Sequence, residues 1–483
     1  MGYIAALLSK TGDDATPALI KMLDSASNVR GDAYGIASNE GTVTRSSLQD
    51  VRRIRSDVVL GHKLAKIMPY DQPQPFYQHG YAMAFEGRVW QDNSSNLSSV
   101  ANLLDADPCP GVRSFIEKVH GSYIIVVVDG SRIVCGRDPV GVVPFYVGEN
   151  ETLVGIASNR KMLWAIGLDI KSLPPGHIAE ITKLGISSKP IRKLERPLIK
   201  SSTMENAIQQ LDQIMIEAVE TRCKGIFRVA LGFSGGIDST LLAYYLDRAG
   251  VEVDLICVGM EGSSDFIAAE TAADTLGLPL RLDSFTLEEV YEALDDVLWS
   301  VEDSDAMKAG IAFPLYWASR SAAEAGCRVF FSGNGSDELF GGYHRHVQEY
   351  AKSVEAVQEA LFRDVAASHS VNYERDYKVC ADAGLELRLP FADLRVINFG
   401  LSLPLDLKLA PDPHSPRKLV LRALAENLGI PEDVAGRRKR AVQYSTGVDK
   451  ALRRLARSRG ETLRGHLEER FGKVKSERLG DLE

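Results

Sequence analysis

The chain has 483 residues, 45% hydrophobic and 25% charged, with a net charge of −9. That length predicts two or three domains, and the acidic balance argues against a general nucleic-acid role. Six scattered cysteines without a CxxC pair argue against a cysteine metal site and a disulfide framework, and no apolar run approaches a membrane span. The opening residues lack a basic-then-apolar signal, so a cytoplasmic protein is expected.

The first ~190 residues carry short β-patterned runs separated by turn signals. They fall at 3–8, 58–60, 81–85, 123–129, 132–136, 145–147 and 153–157, with the clearest helix at 17–25. This pattern predicts an α+β sandwich of antiparallel sheets. Residues 189–202, with two prolines and two serines, read as a linker. From Met204 the rhythm changes. Helices are predicted over 204–221, 239–248, 267–276 and 315–325, and strands over 227–231, 253–258, 278–282 and 328–331. Alternation of that kind predicts a doubly wound parallel α/β unit, which binds ligands at the carboxyl ends of its strands. Beyond Tyr343 the chain reads as mostly helical, and 452–482 alternates charges like one solvated surface helix.

One such strand end is occupied by residues 231–240, LGFSGGIDST. Glycines and small hydroxyl side chains between a strand and a helix let backbone N–H groups wrap an anion where the helix dipole favours negative charge. No Gly-Lys-Ser/Thr follows, so this is not a Walker A loop. It has the SGGxDS/T form of the pyrophosphate loop, found in enzymes that cleave ATP to AMP and pyrophosphate. Asp238 within an anion cradle calls for a divalent cation. A second glycine-rich turn, SGNGSDELFGGY, covers residues 332–343 after the strand at 328–331.

With both loops in view, the chain resembles the asparagine synthetase family, including its β-lactam synthetase relatives. Residues 137–146, 157–161 and 173–177 carry further marks of the family, so the resemblance covers essentially the whole chain. It implies a C-terminal domain that uses MgATP to adenylate a carboxylate, and an amine that then displaces AMP to form an amide. Carried over, Ser234, Gly235, Gly236, Asp238, Ser239 and Thr240 would hold pyrophosphate. Asp238 and Asp337 would bind Mg²⁺. Gly232, Val258 and Gly333 would set their backbones against adenosine, with Ser332 counted in the nucleotide set. The basic run at 437–440, followed by Gln443 and Ser445-Thr446-Gly447, resembles the segment that carries the family's catalytic lysine. Lys439 is the candidate, with Arg438 and Arg440 as competing registers; it would stabilise charge on the α-phosphate and then an oxyanion. Glu374 and Asn334 join it as catalytic candidates whose individual roles stay open. Residues 374–376 and 384–393 resemble a helical wall of the site, and Lys418 falls in a matching basic position; Glu386 and Arg388 could form a structural ion pair.

The sequence also departs from the family. The resemblance implies an N-terminal glutamine amidotransferase-like domain whose nucleophile is a cysteine at position 2, but Gly2 stands there and the first cysteine is Cys109. Glu86-Gly87-Arg88 replaces an Asn-Gly-Glu turn, Lys63-Leu64 replaces an expected arginine, and no acidic residue stands in 109–116. In the synthetase half, Asn334 replaces a glutamate, and a neutral amide cannot serve as a base. Lys308 and Gly310 occupy the positions of a threonine and an arginine that hold aspartate; Lys308 could hold a carboxylate as a point charge.

The expected organisation is therefore an Ntn-hydrolase-like, glutaminase-inactive domain at 1–190 and an ATP pyrophosphatase domain at 203–483. The expected activity is formation of an amide from a small-molecule carboxylate, aspartate first, and ammonia or an amine. ATP and Mg²⁺ are the expected cofactors, with no nucleic-acid or membrane partner and a homodimer as candidate assembly. Intramolecular amide closure as in β-lactam synthetases, and a non-catalytic nucleotide-binding scaffold, are the competing readings.

Overall fold

A computed structural model describes residues 2–26, 31–51, 54–78, 80–90, 108–412, 414–437 and 442–480. The chain divides into two compact units, Met1–Leu194 with Gly472–Glu483, and Glu195–Phe471. Among the described residues no helix is long and apolar enough to cross a membrane.

The first unit contains two antiparallel sheets. One has seven strands in the spatial order Asp169–Ser172, Tyr146–Glu149, Leu153–Ala157, Gly2–Ser9, Val58–Leu64, Ala33–Ser38 and Gly41–Arg45. The other has six: Gly185–Pro190, His177–Thr182, Ile133–Arg137, Gly121–Val128, Tyr81–Val89 and Phe76–Gln78. Every residue of Gly2–Ser9 and of Val58–Leu64 is buried. Both strands contact Tyr81–Val89 of the other sheet, while the Thr16–Ser25 helix covers Val58–Leu64 so closely that a Cβ on Gly61 would lie 2.9 Å from the Leu23 side chain. Burial on both faces explains why these strands read as continuous apolar runs.

Some of the marks at 137–161 are structural in origin. Asp138 accepts from the Val140, Gly141 and Tyr123 amides at 2.8–3.0 Å, and Arg137 donates to the Leu173 and Gly141 carbonyls. Ser158 bonds Ile4, and Asn159 caps the helix Arg160–Trp164 through the Met162 amide. Two hairpins escape the sequence reading, Ala33–Ser38 with Gly41–Arg45 and His177–Thr182 with Gly185–Pro190. Their outer strands lie at sheet edges and are only half-buried or exposed, so the apolar alternation that marks a strand is weak there. Lys189 and Pro190, expected to open the linker, instead close the second hairpin, where proline's missing N–H costs nothing on an edge.

The second unit is built on a five-stranded parallel sheet. Its order is Leu280–Phe285, Glu252–Met260, Arg228–Gly232, Val329–Phe331 and Glu386–Arg388. The chain adds strands on one side of Arg228–Gly232 and then crosses to the other, leaving a crevice at the carboxyl ends of Arg228–Gly232 and Val329–Phe331. Three expectations are corrected here. Glu386–Arg388 is the fifth strand and not part of a helical wall; its Glu386 and Arg388 do form a buried ion pair at 2.5 Å. The helix expected from 315 starts at Ala306, because Asp305 caps it through the Lys308 amide and Pro314 is accommodated inside it. The single C-terminal helix is two, Val448–Ser458 and Leu463–Gly480, broken near Gly460. The first of them buries Val448, Ala451, Leu452, Leu455 and Ala456, an amphipathic face and not a solvated one.

Lys408 is buried, and its carbonyl accepts from the Leu419 amide at 3.0 Å. Burial pulls its amine down to about 7. An unfolded lysine titrates near ~10.4, so between about pH 7 and pH 10 the unfolded chain binds more protons and stability rises with pH. At and below pH 7 the burial penalty is fully present. Lys408→Met is therefore expected to melt higher than the parent at pH 7, with the gap closing toward pH 10. A variant that melts lower at every pH would show a charged, paired lysine instead.

Candidate active site

The first loop leaves the sheet at Gly232, where a Cβ would lie 3.1 Å from the Phe330 ring. The Phe233 amide donates to the Ile256 carbonyl at 2.8 Å, which pins the loop to the neighbouring strand. Gly235 has φ +63°, and a Cβ there would stand 2.2 Å from the Ala268 carbonyl oxygen, so conformation and space both require glycine. Gly236 caps the helix Ile237–Arg248, and the Ser239 and Thr240 hydroxyls donate to its carbonyl at 3.1 and 3.0 Å. The Ser234 hydroxyl accepts from the Gly236 amide at 3.4 Å. The first amides of this helix have no intrahelical partner and face the crevice end of the sheet, an arrangement suited to an anion.

The second loop meets the first. Ser332 donates its amide to the Arg388 carbonyl, and its hydroxyl accepts from the Asn334 amide. A Cβ on Gly333 would lie 3.0 Å from the Asp238 Cβ. The Ser336 hydroxyl donates to Asp238 Oδ1 at 2.6 Å. Between Asp238 and Asp337 sits the ammonium of Lys418, 2.7 Å from both Asp238 oxygens, 2.6 Å from Asp337 Oδ1 and 3.0 Å from the Ser336 hydroxyl. Lys418 is 2% exposed and has φ +59°, at the head of the helix Leu419–Asn427. Gly342 makes the space: a Cβ there would stand 1.8 Å from Asp337 Oδ1 and 2.4 Å from Lys418 Cε. Glu338, next in the motif, turns away to receive the Tyr343 hydroxyl at 2.5 Å and the Asn372 amide at 2.7 Å. Burial, followed by the neighbouring Asp337, pushes its carboxyl up.

Around this pair the other candidates are distributed unequally. Asn334 donates its side-chain amide to Asp376 at 2.5 Å, and Asp376 also receives Arg375 at 2.7 Å. Glu374 is buried 3.9 Å from the His369 ring. Val258 lies in the Glu252–Met260 strand, beside Asp283 of the next strand. Lys308 holds its ammonium 2.7 Å from Asp303. Lys439, with Arg438 and Arg440, lies outside the described residues. Its flanks are tied down on both sides. Arg437 donates to the Ser234 carbonyl at 2.8 Å and to Ser264 and Asp265 at 3.2 Å. The Thr446 carbonyl accepts from the Met260 amide at 3.0 Å, and that of Ser445 from the Ser263 hydroxyl at 3.0 Å. A cavity of about 490 Å³ opens beside these contacts, lined by residues 260–264 and 444–447. Two contributions are not derivable from the sequence: the bridging role of Lys418, and Arg437 as the anchor on the first loop.

The profile described as asparagine synthase matches residues 210–356 and 348–482 of this chain. The chain belongs to the asparagine synthase family. A glutamine amidotransferase domain profile matches residues 62–165. A protein of Methanocaldococcus jannaschii, provisionally named glutamine-hydrolyzing asparagine synthetase 1, is 32% identical over 71% of this chain and 72% of its own length. Glutamine-hydrolyzing asparagine synthetases of Sandersonia aurantiaca and Arabidopsis thaliana are 30% and 27% identical, each over 81% of this chain and over 79% and 72% of their own lengths.

Within this family member, the surroundings of Gly2 differ from an open nucleophile site. A Cβ on Gly2 would lie 2.5 Å from the Lys63 carbonyl oxygen and 2.6 Å from His62 Nε2. The His62 ring is 1% exposed, with Nε2 3.9 Å from Glu86, and burial outweighs the neighbouring Glu86 in holding its pKa below the usual value. Arg88 makes a two-pronged contact to Asp71 at 2.6 and 2.9 Å. Burial opposes ionisation of Asp71, but the Arg88 guanidinium holds its carboxyl well below the usual range. Residues 109–116 lie in the helix Pro108–Lys118, packed on the core around Phe115 and Tyr123. Gly2→Cys is therefore expected to yield no glutaminase and to destabilise the protein by about 1–3 kcal/mol through overpacking. Glutamate release from glutamine and a thermal melt check this; glutaminase gained without loss of stability would mean that the position is open.

Proposed function

We propose that this protein is an ATP-dependent, AMP- and pyrophosphate-forming ligase that activates a small carboxylate, aspartate first among candidates, and transfers its acyl group to ammonia or an amine. The observation that carries this reading is the meeting of Asp238 and Asp337 beside the Gly235–Gly236 anion cradle. Family membership supports ATP as the nucleotide. On this reading residues 203–483 form the synthetase domain. Ser234, Gly235, Gly236, Ser239 and Thr240 hold the leaving pyrophosphate through amides and hydroxyls, and Gly232, Val258, Ser332 and Gly333 line the adenosine side. Asp238 and Asp337 fit a divalent ion, being two carboxylates that already share one cation in a slot left open by glycine; such an ion would offset the charge of the departing pyrophosphate.

The acid's carboxylate oxygen attacks the α-phosphorus as the bond to pyrophosphate breaks. The amine nitrogen then attacks the acyl carbon, AMP leaves, and the proton lost from the nitrogen passes to solvent. Lys439 stabilises charge at both transition states. Lys308 is the candidate for the acid's second carboxylate, which would have to compete with Asp303. Asn334 and Glu374 line the acyl side; held by Asp376, Asn334 positions and does not take a proton.

The reading assigns residues 1–190 to an amidotransferase-like, Ntn-hydrolase-like domain without glutaminase activity. It makes free ammonia or a substrate amine the nitrogen source, because His62 and a backbone carbonyl fill the place of a side chain at position 2. A cytoplasmic location fits an enzyme supplied with soluble metabolites. The test is pyrophosphate release from MgATP across a panel of acids, aspartate first, with ammonia and separately with glutamine. Pyrophosphate and asparagine from aspartate and ammonia, with no glutamate from glutamine, is the expected result. Release with another acid keeps the chemistry and replaces the substrate. ATP binding without turnover on any acid would overturn the ligase reading in favour of a scaffold.

A further inference from the structure

We propose that Lys418 is a built-in cation that holds the Asp238–Asp337 pair in the nucleotide-free protein and yields it to a divalent ion only when a nucleoside triphosphate arrives with that ion. The inference rests on the reading of these carboxylates as the metal pair. One ammonium lies 2.6–2.7 Å from three oxygens of two carboxylates that are 99 residues apart in the chain (337 − 238), and 3.0 Å from the Ser336 hydroxyl, itself bonded to Asp238. The lysine and both carboxylates are largely withdrawn from water.

A divalent ion approaching alone would have to displace this ammonium and leave it buried without a counter-charge, which is strongly unfavourable. A triphosphate changes the balance, because its oxygens can receive the displaced ammonium while the metal takes the carboxylates. Two features show a place built for the lysine. Its backbone is held at φ +59°, a conformation that a non-glycine residue keeps only where its surroundings demand it. Gly342 supplies a slot in which any Cβ would strike both Asp337 Oδ1 and Lys418 Cε. The consequence for the proposed reaction is an order of events: free divalent ion is not stored at the site, and nucleotide and ion enter together.

The experiment is a Mn²⁺ titration of the full chain without nucleotide, read by electron paramagnetic resonance of the free ion. Wild type is expected to bind Mn²⁺ weakly. Lys418→Met should bind it at least about tenfold more tightly, and Lys418→Arg, which keeps the charge, should stay as weak as wild type. Equal affinity in wild type and a folded Lys418→Met variant would overturn the inference. Should Lys418→Met fail to fold, wild type decides alone. Protein-bound Mn²⁺ must rise at least about tenfold when a non-hydrolysable ATP analogue is added, beyond what the analogue itself chelates; no rise would overturn the inference. Adding Asp238→Asn to Lys418→Met should abolish the new site. A site indifferent to that change would remove the carboxylate pair as the metal position, and so count against the underlying reading and not against Lys418 alone.

Discussion

Asp238→Asn is expected to lower pyrophosphate release about a thousandfold or more, the several kcal/mol that charge stabilisation at a bound cation supplies. Asp238 works in three directions. Its helix start carries the anion cradle, its Oδ1 receives Ser336 from the second loop, and both its oxygens hold Lys418. An asparagine keeps the shape but supplies no charge for a cation and leaves Lys418 with Asp337 as its remaining carboxylate here. The substitution should also lower the melting temperature, because it replaces two of the three short charged contacts to Lys418 by those of a neutral amide in a site withdrawn from water, although Asp337 still balances the ammonium. The double variant Asp238→Asn, Lys418→Met strips Asp337 of its cation and should recover neither the melting temperature nor the activity. A single variant within about tenfold of wild-type turnover would sink the assignment of Asp238 to the leaving-group side.

The second large effect concerns Lys439. Lys439→Ala is expected to bind ATP normally and to lose about 10²–10³-fold in pyrophosphate release, the loss that follows when one preorganised donor to developing charge is removed. Although Lys439 lies outside the described residues, the chain on either side of its segment is tied to the carboxyl end of the sheet. Arg437 is bonded to the Ser234 carbonyl of the first loop, Thr446 to Met260 at the end of the Glu252–Met260 strand, and Ser445 to Ser263 just beyond it. Arg438→Ala and Arg440→Ala serve as register controls and should stay within about tenfold of wild type. If one of them loses the activity and Lys439→Ala keeps it, the catalytic cation belongs one position away. Loss of ATP binding in Lys439→Ala would make the residue a ground-state contact and remove its transition-state role.

How legible each feature was depends on how far apart in sequence its parts lie. Residues 231–240 and 332–343 were readable because their requirements are local. A strand end, a positive-φ glycine, hydroxyls and a helix start all fall within ten or twelve residues, and Gly235 sits where the backbone needs it. The hairpins at Ala33–Arg45 and His177–Pro190 were missed for the opposite reason: an edge strand half in water has little apolar alternation to betray it. Glu386–Arg388 is strand because it completes a parallel sheet, and three residues carry too short a pattern to announce that.

By itself the sequence determined the change from β-rich to helical rhythm near residue 204, the two anion-shaped loops, the family and the absence of a cysteine at position 2. These depend on residue identity and short spacing, which the chain carries without folding. Only the tertiary structure decided that Lys418 bridges Asp238 and Asp337, that Arg437 clamps the first loop, and that His62 fills the space beside Gly2. Each of these contacts joins residues 60 to 203 positions apart. Their free energy comes from burying charges and shapes against one another, a quantity that exists only once the sheets have brought those segments together.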